Sequence, residues 1–141
     1  MERLSENIIR KLIEINMERR HGYEFAAKLV SCPEKRKLLL KLSSQSEGFV
    51  MELTYFLKLY GGSIGSASMD YTRQEQDNFD PNQSDQATFL ILLQQEIKRI
   101  AHYNHLLTEG IDLDNTLVEK IRAQKSELME SERKLTDDLK D

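Results

Sequence analysis

This sequence has one cysteine, two prolines, three histidines and no tryptophan, and its apolar runs are short. Each shortage excludes something. The lone thiol, Cys32, cannot close an internal disulfide, which suits a reducing cytoplasm. It stands before Pro33 with no identifiable partner histidine, so it reads as a small turn residue rather than an activated nucleophile. No stretch approaches the roughly 18 consecutive apolar residues of a membrane span. The N-terminal MERLSENIIRKLIEI is charged and amphipathic and has no signal-peptide core. A cytoplasmic protein with no membrane partner is therefore expected. No block of lysine and arginine breaks a net charge of −4, so nucleic acid is not an expected partner either. There is no nucleophile motif, and the glycine-rich GGSIGS follows a helix rather than a strand, so it is no phosphate cradle.

Helical periodicity is what remains, and it is strong in four segments. The chain of 141 residues is long enough for one domain, 1–141, with one sizeable core. The first helix is expected over about 5–30, with Ile9, Leu12, Asn16, Tyr23, Ala27 and Val30 on one face. Pro33 suits the first turn of the second helix, 33–60. Its cap is either Ser31, at capping-box spacing from Glu34, or Cys32. Leu38, Leu42, Phe49, Leu53, Phe56 and Tyr60 form its stripe, and Gly61-Gly62 stops it. The third helix, 85–109, starts at Ser84 or Asp85 and is lined by Leu90, Leu93, Ile97, Ile100 and Leu107. The fourth, 113–139, is capped by Asp112 or Asp114 and striped by Leu117, Ile121, Leu128, Leu135 and Leu139.

Residues 61–84 form a long glycine-, serine- and acid-rich link, which a compact domain needs only for a reason. If helices 2 and 3 run parallel, the link must travel the bundle's length. Ile64, Met69, Tyr71 and Phe79 are candidates to pin it, with a short helix near 69–78. The expected fold is all-α: an antiparallel, ferritin-like four-helix bundle of two hairpins joined by a crossover.

The first hairpin carries a family resemblance. Asn16, Gly22-Tyr23, Ala26-Ala27, Glu52-Leu53 and Gly61-Gly62 are similar to the motifs of a bacterial ferritin-like four-helix-bundle family of unknown function, and Glu96 and Tyr103 extend the likeness into the second hairpin. The resemblance implies a fold and no established activity.

Bundles that hold two metals place a Glu on each of two helices and a Glu-x-x-His on each of the others. In the stretch EIKRIAHYNH, 96–105, three residues after Glu96 comes Arg99, not histidine, and on helix 1 Glu18, three residues before His21, projects away from the core. Glu96 projects about 55° from the centre of the apolar face, His102 about 175° away, and His105 well outside it. Helix 1 turns in Asn16, with Arg19 and Arg20 at the edges. Helix 2 turns in Gln45 and Ser46, with Glu52 on the shoulder, and helix 4 turns in Gln124, with Ser131 below it. Closing the hairpins at their turns puts Asn16, Arg19 or Arg20, Gln45, Glu96 and Gln124 at one level. The expectation is an ion-paired polar layer in place of a metal site, with no cofactor. With one arginine as partner, Glu96→Gln is expected to cost less than loss of the arginine, because glutamine still hydrogen-bonds.

Two functions compete. The first is a non-enzymatic bundle acting by association with itself, as a dimer, or with a partner. Phe25, Leu29, Leu40, Met51 and Tyr55 project away from the core stripes and form the expected interface; the other reading is that the crossover covers them. The second is a ferritin-like metal-binding protein or oxidase, holding iron or manganese through an atypical set of Glu52, Glu96 and Glu132.

Overall fold

A computed structural model of the chain describes residues 2–62, 79–110 and 113–140. Among these there are four helices and no strand: α1 Glu2–Leu29, α2 Pro33–Leu59, α3 Asp85–Glu109 and α4 Asn115–Lys140. None of the helices is long and apolar enough to cross a membrane. The expected short helix near 69–78 and the anchors Ile64, Met69 and Tyr71 lie outside the described residues, as does Asp112.

The helix ends follow from local chemistry. Cys32 is the N-cap residue of α2, with Pro33 in the first turn and no side-chain cap, so Ser31 and Glu34 make no capping box. Instead, Asp85 of α3 accepts from the backbone N–H groups of Ser31 (2.9 Å) and Cys32 (3.1 Å). Arg36 ties the other side of the turn, donating to the carbonyls of Ala27 (3.1 Å) and Val30 (2.9 Å) at the end of α1. Ser84 caps α3 by accepting from the Ala87 N–H at 3.1 Å, and Asp114 accepts from Thr116 N–H at the start of α4. Gly61 follows α2 with φ +79°, a conformation open to glycine at no steric cost. Gly110 ends α3 for a different reason. Its φ is −91°, but a Cβ there would strike the Leu113 side chain and come within 3.1 Å of Ile8 Cδ1.

The helices enclose a ring of contacts: α1 packs on α2 and α3, and α4 packs on α2 and α3. Gly62 lies beside Glu6 near one end of α1, and Asp85 beside Ser31 near the other. The core is divided. One apolar cluster gathers Ile8, Ile9, Leu12, Leu53, Leu57, Leu106, Leu117 and Ile121. A second gathers Tyr23, Ala26, Ala27, Val30, Leu39, Leu42, Phe89, Leu92 and Leu135. Between them α1 contributes buried Asn16 and Arg19, so a polar layer separates two apolar ones.

One helix is turned differently from its apolar pattern. The buried positions of α3 are Thr88, Phe89, Leu92, Glu96, Arg99, Tyr103 and Leu106, and from Phe89 on they run one residue out of step with the expected stripe. Leu90 is 50% and Ile97 48% exposed, while Leu93, Ile100 and Leu107 only flank the core. Leaving Leu90 and Ile97 half in water forgoes about 1 kcal/mol each. Turning α3 to bury them would swing Glu96 away and strand a buried Arg19, at about 3–5 kcal/mol. The charge decides the rotation.

The expected outward patch also divides. Phe25 and Leu29 pack partly buried against the second apolar cluster, and Phe79 lies over Phe25 with ring centroids 6.0 Å apart. Those two residues are therefore not a free surface. Leu40, Met51 and Tyr55 do point outward, joined by Leu59. Gly48 sits among them in mid-helix, where a Cβ would meet nothing within 4 Å. An exposed helical glycine costs about 0.5–1 kcal/mol relative to alanine, and none of the described residues uses the space it leaves.

Gly110→Ala is expected to overpack the α3–α4 turn against Leu113 and Ile8 and to cost about 1–3 kcal/mol. Chemical denaturation reads this directly; an unchanged midpoint would mean that the Leu113 side chain swings aside freely.

Candidate functional site: a buried arginine–carboxylate layer

Arg19 is fully buried, and so is Glu96. An isolated charge in either place would be costly, so each needs a partner within reach. Arg19 Nε donates to both carboxylate oxygens of Glu96, at 3.0 and 3.1 Å, and Nη2 donates to Oε2 at 2.9 Å. The remaining guanidinium hydrogens reach Ser46 Oγ at 2.8 Å, Gln45 Oε1 at 2.8 Å and Ser131 Oγ at 3.0 Å. One arginine on α1 thus binds side chains from all three other helices. Its planar fork explains why this residue type occupies the position, since lysine offers no such set of fixed donors. Tyr23 and Phe49 flank the guanidinium, with ring centroids 5.2 and 6.0 Å from Cζ, and add cation–π attraction.

A second cation shares the carboxylate. Arg99, one turn on from Glu96 in α3, donates to Oε1 at 3.0 Å. The Glu-x-x-Arg spacing puts both side chains on one helix face, as Glu-x-x-His would. Burial by itself would raise the Glu96 pKa, but the charges of Arg19 and Arg99 and the hydrogen bonds from Arg19 outweigh it. The net displacement is below the ordinary 4.5. Glu96 is held as a carboxylate, and Arg19 as a guanidinium: burial opposes its charge, while Glu96 raises its pKa further.

The layer continues to the surface through neutral groups. Asn16 Nδ2 donates to the Tyr103 hydroxyl at 2.7 Å, which donates to Gln124 Oε1 at 2.8 Å. Gln124 Nε2 donates to Glu52 Oε1 at 3.2 Å, and Lys120 closes on Glu52 Oε2 at 2.7 Å. Ser46 Oγ donates to Asn16 Oδ1 at 3.3 Å, joining this chain to Arg19. The Tyr23 hydroxyl is buried without a hydrogen bond of ordinary geometry. Burial first, then the nearby Glu96 charge, push the Tyr23 pKa well up; burial does the same to Tyr103.

Asn16, Arg19, Gln45, Glu96 and Gln124 therefore share one network. Arg20 does not join it. It is partly exposed, and its backbone carbonyl accepts from Ser43 Oγ at 3.0 Å. His102 and His105 are exposed, with His105 Nε2 placed 2.8 Å from Glu109. Sequence reasoning missed Arg99, although the signal was the very residue standing where histidine was sought.

As a metal centre the layer does not fit. Glu96 faces two guanidiniums, Glu52 is engaged by Lys120 and Gln124, and Glu132 is partly exposed on α4. Among the described residues no group of three or more His, Cys, Asp or Glu is placed to hold an ion. Fixed cations beside a carboxylate repel Fe²⁺ or Mn²⁺ electrostatically. Compared with protein-family models, curated protein sequences and solved structures, the chain matches none of them.

The presence of two cations on one anion reverses the expected order of substitutions. Glu96→Gln removes the anion that two guanidiniums share, whereas Arg19→Met leaves Glu96 paired with Arg99. We expect Glu96→Gln to cost about 3–5 kcal/mol and Arg19→Met less, with the double variant recovering part of the loss. Denaturant unfolding of the three proteins tests this, and costs near the ~0.5 kcal/mol of surface pairs would show the layer to be solvated.

The pH response has two arms. Glu96 has a folded pKa below its unfolded one, so its contribution is complete above about pH 4.5 and is lost as pH falls through the folded pKa. Tyr23 and Tyr103 have folded values above 10, so their contribution is complete below about pH 10 and is lost as pH rises beyond it. Tyrosinate absorbance of these two side chains should appear only together with loss of helicity.

Proposed function

We propose that the chain is a ferritin-like bundle that works by association, with a second copy or with a partner, and not by catalysis. The order of the contacts supports the topology. Along α1, Asn16, Arg20 and Ala27 meet Ser46, Ser43 and Arg36 in turn, while Asn16, Arg19 and Ser31 meet Tyr103, Glu96 and Asp85. Read as antiparallel neighbours, these pairs make α2 and α3 parallel, the arrangement that calls for a length-spanning crossover. The resemblance of Asn16, Tyr23, Ala26-Ala27 and Glu52-Leu53 to a bacterial ferritin-like family agrees with it.

The observation that carries the functional reading is the pairing of Glu96 with Arg19 and Arg99. In a di-metal bundle the corresponding mid-height carboxylates face a metal. Here that level is occupied by side chains hydrogen-bonded to one another, with two guanidiniums on the one Glu96 carboxylate. What remains for function is surface, and the outward apolar positions of α2 supply it. The setting we propose is the cytoplasm, with a homodimer as the working form.

Protein purified without a histidine tag, which would itself bind metal, should carry no stoichiometric iron or manganese. It should sediment as a concentration-dependent dimer. Stoichiometric metal that disappears in Glu96→Gln would overturn the non-metal reading. A monomer at the highest attainable concentration would overturn association with a second copy.

A further inference from the structure

The exposed face of α2 has an internal symmetry. Its apolar and small members are Leu40, Ser44, Gly48, Met51, Tyr55 and Leu59, edged by the exposed Lys41 and Lys58, and their spacing of four, four, three, four and four residues reads the same in both directions. A two-fold axis between residues 49 and 50 therefore maps the face onto itself. It pairs Gly48 with Met51, Ser44 with Tyr55 and Leu40 with Leu59. In the two central pairs, a small residue of one copy meets a large one of the other. Met51, Tyr55 and Leu59 are 70%, 61% and 62% exposed, and Leu40 46%; Gly48 has open space around it.

Resting on the association reading above, we propose that a second copy of this chain is the occupant of this face. Two α2 helices cross antiparallel, with Met51 of each seated over Gly48 of the other. The face consists of two i, i+4 rows, a small-residue row ending in Leu40 and a large-residue row ending in Leu59. Rows of this spacing interlock at a crossing angle of about −50°. Such a crossing carries the C-terminal end of the second α2 away from its counterpart and over the groove between α1 and α2. That groove is present. It measures about 420 Å³ and is lined by Glu24, Ala27, Lys28, Arg36 and Leu40, so Leu59 of the second copy has a place to go. The glycine is then explained: it lowers helix propensity in the monomer and allows close approach in the dimer. The α3 surface with Leu90 and Ile97 has no such self-matching pattern of small and large residues. Along α2, 40 to 59 spans about 28 Å, short for a standard interface, which fits a reversible dimer rather than an obligate one.

The test uses the full chain with Cys32→Ser as background. Met51→Cys should be linked into covalent dimers by a short bifunctional maleimide, whereas Ile97→Cys should not. Gly48→Leu should weaken the dimer at least tenfold by sedimentation while helicity is kept or increased. Linking through Ile97→Cys but not Met51→Cys, or an unchanged dissociation constant in Gly48→Leu, would overturn the α2 crossing and leave self-association standing. A wild-type chain that never dimerises would overturn both.

Discussion

The pairing of Arg19 with Glu96 is the constraint to which the rest of the structure answers. A guanidinium with no solvent exposure is costly without an anion beside it, and for Arg19 that anion comes from another helix at the same height. That requirement sets the rotation of α3 and its register against α1. The pair also lies between the two apolar clusters of the core, with Asn16 and Arg19 of α1 standing between Ile15 of one and Tyr23 of the other. Side chains of α2 and α4 complete the set through Gln45, Ser46 and Ser131. All four helices are thus tied by one side chain.

Such a layer favours one arrangement of the bundle over its alternatives. Apolar stripes on helices slide and rotate against one another at modest cost, because leucine packs acceptably in many registers. A bidentate ion pair does not, since a shift of one helical turn takes the Arg19 guanidinium away from its carboxylate. The stability that a fully apolar core would supply is partly forgone, and a single mutual register is obtained. The exposed apolar residues of α3 are the visible cost of that choice. Those of α2 lie directly opposite its buried face, so they do not arise from a rotated helix and belong to the surface chemistry of the protein.

For the four helices among the described residues, the approximate limits and the chemistry of the ends could be read from the residues alone. Pro33, Ser84, Asp114 and Gly61 act through the backbone of their own segment, and their effect needs no knowledge of neighbours. Most of the polar layer was also legible, because Asn16, Gln45 and Gln124 interrupt otherwise apolar faces. The stripes of α1 and α4 are deep enough that periodicity alone orients them, whereas on α2 the expected Leu38 and Tyr60 are partly buried and Leu39 and Leu57 are buried in addition.

The sequence by itself determined four amphipathic helices, a break between each pair and the levels at which polar residues would meet. Only the tertiary structure decided which face of α3 turns inward, that Arg19 and not Arg20 takes the buried place, and that Arg99 joins it. Periodicity weighs each helix against water, one residue at a time. The free energy of a buried charge depends instead on what stands three ångströms away on another helix, and that is a property of the assembled bundle.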